Sequence, residues 1–446
     1  MIKLKINILN PVECSVDKAS IPLISPCLSY ESVFWKPGRY RRERKVYQAD
    51  FVSRKGRFLT GFLPKINDYC ASNDIEVTIS GEIEKLETCQ PYYPKFFWDK
   101  YDHDQLQVQL SLVQKAIDCG RGIVKAATGV GKTNIMMGIV LAYPTARVLI
   151  LAHTHTIISQ ITKAVAEIGE EERVEVATVQ AFFHKDPREY WNKYDIVFID
   201  ECHHVSNPKG SYAGVLQHSS APVRLGFTGT LPPEKRAQLT MEGNLGPVIG
   251  ELTIQEAGKM GILSTPKIEW IRVPFNAKVK GLRKYPDVYD QGVVNSKSFN
   301  RLVAKRAVQA IKEGKTVLIL VIQIEHGRNI VAAAKRLYNV DLEFVYGDID
   351  KEVRDEIQLS LSTKKVKGVV ASAVFREGLD VPSLDVVINA CEAKAELLTL
   401  QAVGRGLRRT DEKKHVTIVD FFNPSHHFLI DHFGERICLY MDNGWL

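Results

Sequence analysis

The chain has 446 residues, of which 45 % are hydrophobic and 25 % charged, and its 59 Lys and Arg against 52 Asp and Glu give a net charge of +7. These are ordinary globular values, which exclude wholesale disorder, collagen and coiled-coil rods, and the length suggests roughly two to four domains. Residues 28–66 hold ten Lys/Arg and three Asp/Glu, so the other 407 residues sum to zero and the surplus marks one localised polyanion-binding surface.

The first nine residues, Met1 to Leu9, alternate apolar and polar. That is the period of a strand, not the charged and apolar blocks of a signal peptide. Residues 1–98 read as a separate small α+β unit, closed by Tyr92-Tyr93-Pro94 and Trp98-Asp99. Gly61–Tyr69 predicts its helix, with Pro64 as a limit. Arg39, Arg41, Arg42, Arg44, Lys45, Arg54, Lys55 and Arg57 are interleaved with Trp35, Tyr40, Tyr47, Phe51 and Phe58. Bases in such a stretch neutralise phosphates, while aromatics either stack on exposed bases or fill a small core. Most of these aromatics suit the core, so the expectation is backbone contact by the bases and no base-specific readout.

From Gly120 onwards, short β-branched apolar runs recur at 122–127, 148–152, 174–179, 196–199 and 223–227, with helical spacing at 133–141 and 157–168. Near-continuous apolar strands alternating with helices predict a parallel sheet covered on both faces. The pattern restarts at 316–321, 342–346, 368–371, 386–389 and 416–419. The fold class is therefore α/β: two tandem parallel-sheet domains, 99–264 and 265–446, after the small α+β unit. The tail from Phe421 to Leu446 reads as packing against the second. No apolar run approaches the roughly 20 residues that span a bilayer, so an intracellular, cytoplasmic protein with no membrane partner is expected. None of the eight cysteines forms a Cys-x-x-Cys pair, and reduced thiols are the expectation. His203-His204 and His426-His427 are poor metal candidates, because neighbours on a strand face opposite ways.

Three motifs carry chemistry. Ala126-Ala-Thr-Gly-Val-Gly-Lys-Thr133 follows one strand and opens a helix. A glycine-rich turn there aims backbone N–H groups of Ala127, Thr128, Gly129, Val130 and Gly131 at phosphate oxygens. Lys132 reaches the β- and γ-phosphates and the Thr133 hydroxyl ligates Mg²⁺. Asp200-Glu201 ends the run Asp195-Ile-Val-Phe-Ile. A carboxylate at the C-terminal edge of a parallel strand sits in the ligand crevice, so Asp200 is expected to hold Mg²⁺ and Glu201 to orient the attacking water. In Gln401-Ala-Val-Gly-Arg-Gly-Leu-Arg408, a helix would align Gln401, Arg405 and Arg408 on one face. Arginines so placed suit a transferred phosphoryl group. A phosphate loop in one lobe and arginines in the other imply ATP bound at their interface, with a hinge motion on hydrolysis.

The three motifs, in this order over about residues 105–410, resemble the core of the superfamily 2 helicases of the DExH kind, a tandem pair of RecA-like domains. The resemblance implies further roles. Gln109 would read adenine, although Gln107 and Gln114 leave the register open. Leu151–Thr156, with His153 and Thr154, and Thr178-Val-Gln180, with Thr178 and Gln180, would contact the nucleic-acid backbone. Thr228-Gly-Thr230 would couple hydrolysis to movement. Gln323 to Gly327 resembles a further motif, with His326 on the strand. Glu377-Gly-Leu-Asp-Val-Pro382 would place Gly378 and Asp380 near nucleotide. Within the superfamily, the compact core, Thr228-Gly-Thr230 and the basic N-terminal stretch resemble phage DNA branch-migration helicases of the UvsW type. That implies ATP and Mg²⁺ as cofactors, branched or forked DNA as partner and 3′→5′ translocation. An RNA helicase, or a duplex translocase without strand separation, remains the alternative, since the core motifs do not read the sugar. A scaffold with a degraded ATPase conflicts with the intact Lys132, Asp200, Glu201, Arg405 and Arg408, and a metabolic kinase gives no reason for the second α/β unit.

Overall fold

Strands β8 (Val148–Ala152) and β10 (Ile196–Asp200) are buried along their whole length, as strands must be when helices cover both faces of a sheet. They belong to a six-stranded parallel sheet with β7 (Arg121–Ala126), β9 (Val174–Thr178), β11 (Val223–Thr228) and β12 (Val248–Leu252), in the order β12-β7-β11-β10-β8-β9. This computed structural model describes residues 2–37, 42–346, 351–372, 384–392, 415–442 and 444–446. The chain divides into two compact units, Met1–Ala126 with Gly131–Leu252, and Ala127–Val130 with Thr253–Leu446.

Ahead of this sheet, β1 (Ile2–Ile8), β2 (Glu13–Ser15), β5 (Arg57–Leu59) and β6 (Ile75–Ser80) form a mixed sheet in the order β5-β2-β1-β6. A separate hairpin pairs β3 (Ser29–Pro37) with β4 (Arg42–Asp50). The helix Leu63–Ala71 carries Pro64 in its first turn. The proline has no N–H to lose there and starts the helix instead of limiting it. Leu4, Ile6, Phe58, Phe62 and Ile66 form the core of this region, and Leu239 of the helix Lys235–Leu245 belongs to the same cluster. A Cβ on Gly243 would lie 2.7 Å from the Phe62 ring, and Lys65 Nζ lies 2.7 Å from Glu242. Residues 1–98 thus share a core cluster with the helix Lys235–Leu245.

The second unit holds β13 (Thr265–Arg272), β14 (Val317–Leu320), β15 (Glu343–Val345), β16 (Gly368–Ala371), β17 (Val386–Asn389) and β18 (His415–Phe422). They form a parallel sheet in the order β13-β18-β17-β14-β16-β15. Helices Lys297–Lys312 and Ile324–Tyr338 pack on it through Phe299, Val303, Ala307, Ile330 and Ala334. The tail continues from β18 into the helix His427–Asp442. Its Arg436 is 2 % exposed and pairs with Asp420. Among the described residues no helix is long and apolar enough to cross a membrane.

Candidate nucleotide and nucleic-acid site

The phosphate-loop sequence joins β7 to the helix Lys132–Ala142. Gly129 and Gly131 have φ of 93° and 90°, a region costly for any residue with a Cβ. Gly131 is the N-cap and offers no side-chain acceptor, and a helix N-terminus of this kind suits an anion. The helix behind is buried from Asn134 to Ala142, which holds the loop on a fixed base.

Three glutamines compete for the adenine-reading register. Gln107 is exposed, and Gln114 donates to Asp118 at 2.7 Å. Gln109 is wholly buried, and its Nε2 lies 2.3 Å from where a Cβ on Gly131 would be. Of the three, only Gln109 touches the glycine turn.

Asp200 closes β10 and is 7 % exposed. Glu201 turns the chain with φ 47°, in the left-handed region, a strain of the kind found at functional sites. Its Oε1 accepts from Lys132 Nζ at 2.9 Å, and its Oε2 lies 3.3 Å from His203 Nδ1. Burial disfavours the charged form of Glu201, but Lys132 and then His203 outweigh it and hold the carboxyl far below its ordinary value. Burial and the Glu201 charge push Asp200 up to about 6. A cation beside Asp200 would restore its ionised form. A buried carboxylate and the Thr133 hydroxyl fit Mg²⁺, which takes few protein ligands and completes its shell with water and phosphate oxygens.

His203 extends the site to β11. Its Nδ1 lies 3.1 Å from Thr228 Oγ1, while that hydroxyl donates to Thr230 O at 2.8 Å. The hydroxyl proton is therefore committed, and Nδ1 must be the donor. Hydrogen bonds join Lys132 to Glu201 and His203 to Thr228 and Thr230, and the two pairs approach at 3.3 Å between Glu201 Oε2 and His203 Nδ1. The sequence places His203 at the end of Asp200-Glu201-Cys202-His203 and makes it a poor metal candidate, without showing this link to Thr228. Its position directly after Asp-Glu-Cys was the available signal.

His153, Thr154, Thr178 and Gln180 gather at the C-terminal ends of β8 and β9, neighbouring strands paired as far as Ala152 and Thr178. Thr154 and Thr178 cap helices, accepting from Ile157 and Ala181 N–H at 3.4 and 3.2 Å. Gln180 is exposed. The His153 ring stacks on His204 at 4.3 Å. Burial, His203 and His153 lower His204 to about 4, so it is neutral near pH 7. Among the described residues no cluster of His, Cys, Asp and Glu has the makings of a metal site.

The structure corrects the reading of His326 as a nucleic-acid contact. Its ring is fully buried, 5.8 Å from Phe299, and burial lowers it to about 3. It is a neutral core aromatic that no strand can reach. Neighbouring Gly327 is required because a Cβ would meet the Phe344 ring at 2.4 Å. Arg39, Arg41, Gly378, Asp380, Gln401, Arg405 and Arg408 lie outside the described residues. Arg42, Arg44 and Lys45 fall on β4, opposite Pro37, Trp35 and Phe34. Phe58 is buried, and Phe51 packs 5.7 Å from Phe62, so these two aromatics serve the core.

Two family profiles match the chain. That described as "Helicase conserved C-terminal domain" matches residues 300–410. That described as "Type III restriction enzyme, res subunit" matches 100–181 and 169–233. The protein described as "ATP-dependent DNA helicase uvsW" of Enterobacteria phage T4 is 24 % identical over 54 % of this chain. The chain spans about half of that relative's length, 48 %. The "DNA 3'-5' translocase XPB2" of Sulfurisphaera tokodaii is 27 % identical over 66 % of this chain and 76 % of its own. A solved fragment of a putative HsdR subunit of a type I restriction enzyme from Vibrio vulnificus has a TM-score of 0.57 at 18 % identity. It covers 85 % of this chain and 71 % of that fragment, a likeness of fold. The two parallel sheets are RecA-like domains in tandem.

Proposed function

We propose that this chain, a superfamily 2 helicase, is an ATP-driven DNA translocase that unwinds or branch-migrates forked and Holliday-type junctions. The observation that carries the reading is the chain Lys132–Glu201–His203–Thr228. It ties the phosphate loop to the strand-end carboxylates and to the segment that follows β11. Lys132 neutralises phosphate charge, and its grip on Glu201 transfers to the γ-phosphate when nucleotide enters. Glu201, kept ionised, orients and polarises the attacking water. Mg²⁺ held by Thr133 and Asp200 would neutralise the β- and γ-oxygens. Arg405 and Arg408, with Gln401, complete the charge stabilisation, and Gln109 selects adenine.

DNA as the substrate, and 3′→5′ polarity, are supported by the similarity to proteins described as a DNA helicase and a DNA 3'-5' translocase. We assign ATP binding to 99–264, the partner helicase domain to 265–446, and accessory DNA binding to the basic stretch within 1–98. His153, Thr154, Thr178 and Gln180 grip the backbone at the sheet edge. The test is ATP hydrolysis and strand separation on matched linear, forked and four-way DNA and on RNA forks. Stimulation by branched DNA supports the proposal. Activity on RNA alone, or full DNA-stimulated hydrolysis by Lys132→Ala, overturns it. Alanine at Arg41, Arg42, Arg44 and Lys45 together should weaken DNA binding and flatten its salt dependence.

A further inference from the structure

In the second unit, helices Lys297–Lys312 and Ile324–Tyr338 flank a concavity of about 1040 Å³. Lys297, Arg301 and Lys305 line it at i, i+4 and i+8, and Arg336 lines it from the other helix. All four are exposed, and among the described residues no Asp or Glu lines the groove. Arg306, next to Lys305, shows what a structural base looks like here: it pairs with both oxygens of Glu269 at 2.8 Å. None of the four groove bases forms an ion pair among the described residues. Asn295 and Asn329 also line the groove, with their amides donating within the protein, to Asp290 at 2.9 Å and to Val294 O at 2.9 Å.

We propose that this groove binds the sugar–phosphate backbone of DNA, as a site additional to the motif residues. The inference rests on the reading of the chain as a DNA translocase. Four successive residues of helix rise about 6 Å, so the stripe presents a regular ladder of positive charge. A nucleic-acid strand carries a regular ladder of negative charge, and each base that neutralises a phosphate releases a counterion. Exposed bases left without carboxylates are the arrangement that gains from such a ligand. The sequence also carries the mark: residues 295–338 hold nine Lys/Arg and two Asp/Glu, a surplus of +7. It equals that of residues 28–66, and acidic residues elsewhere conceal it in the whole-chain sum.

The test is fluorescence anisotropy of labelled single-stranded and duplex DNA across a salt series. It uses the full chain and the variant K297E/R301E/K305E. A control, K18E/K85E/K259E, reverses three exposed lysines elsewhere. The groove variant should bind DNA about tenfold or more weakly near physiological salt, and its slope of log K against log salt should fall by about 2 to 3. Its melting curve and its ATP hydrolysis without DNA should match the unaltered chain, because these side chains are exposed and outside the nucleotide site. A slope unchanged from the unaltered chain, or changed equally in the control, overturns the groove alone. Competition for the groove by poly-glutamate with an unchanged DNA slope assigns it to an acidic polypeptide and also overturns the proposal. If the unaltered chain shows no salt-dependent DNA binding, the translocase reading fails with it.

Discussion

Arg436 of the C-terminal helix donates through Nε to both carboxylate oxygens of Asp420 on β18, at 3.1 and 2.9 Å, with both side chains withdrawn from solvent. Tyr440 donates to the same carboxylate at 2.7 Å and Asn389 at 3.3 Å, while Arg436 Nη2 also reaches Phe421 O at 3.0 Å. The tail is thereby bolted to the last strand. Removing one partner of a buried pair leaves an uncompensated charge, which costs about 3–5 kcal/mol. Arg436→Met should lose that much stability in urea unfolding. A loss under about 1 kcal/mol would show that the helix is held by apolar packing alone.

Glu392 is the second acid in this pocket. It is fully buried, with an oxygen 3.6 Å from Arg436 Nη2. Burial raises its carboxyl from 4.5 to about 8, against the pull of Arg436 and with help from Asp420. The folded chain therefore keeps a proton that the unfolded chain releases near 4.5. The stability this contributes is complete below about pH 4.5 and is lost as the pH rises towards about 8, at up to about 1.4 kcal/mol per unit. Glu392→Gln should flatten that decline and gain on the unaltered chain as pH rises from 5 to 8. Parallel stability curves for the two proteins would place the ionised form in the folded state.

Lys132 and Glu201 give a kinetic prediction. With Glu201→Gln the amide still accepts from Lys132, so nucleotide binding should persist. Loss of a general base costs about 10²–10⁴-fold in turnover, and kcat should fall by that factor with little change in nucleotide affinity. Retained turnover would move the water-orienting role to another residue.

His203 is the hinge pin between the carboxylates and Thr228. Couplings of 1–3 kcal/mol correspond to about 5–150-fold effects. His203→Ala should lower DNA-stimulated hydrolysis within that range while basal hydrolysis changes less. An equal drop in both would make His203 a support for Glu201 rather than a link to the DNA-bound state.

The nucleotide loop was legible because its chemistry is written in consecutive residues, and the central strands because burial on both faces demands unbroken apolar runs. Two of the edge strands, β12 and β13, were missed for the opposite reason, while the other two edges, β9 and β15, were read. β12 contains Gly250 and shifts register between Val248 and Gly250, and β13 interrupts its apolar residues with Lys267, Glu269 and Arg272. These two edges carry no continuous apolar run. Arg436, Arg224 and His326 are polar letters that the fold buries, which no periodicity reveals. The net charge misled in a different way, because a sum over the chain conceals any basic groove whose excess is balanced elsewhere.

Gly131 offers a test in which two physical effects separate. Its φ of 90° is strained for any residue with a Cβ, at about 1–3 kcal/mol. The new Cβ would also stand 2.3 Å from Gln109 Nε2, and Gln109 has no room to yield because it is fully buried. Gly131→Ala should therefore weaken nucleotide binding by about tenfold or more and lower the melting temperature. Adding Gln109→Ala removes the clash but not the backbone strain, so the double variant should regain part of the melting temperature. Its nucleotide affinity should stay low, since the turn remains distorted and the adenine contact proposed for Gln109 is gone. Wild-type affinity in Gly131→Ala would show that the loop reshapes freely, and a full thermal recovery in the double variant would assign the whole cost to the clash.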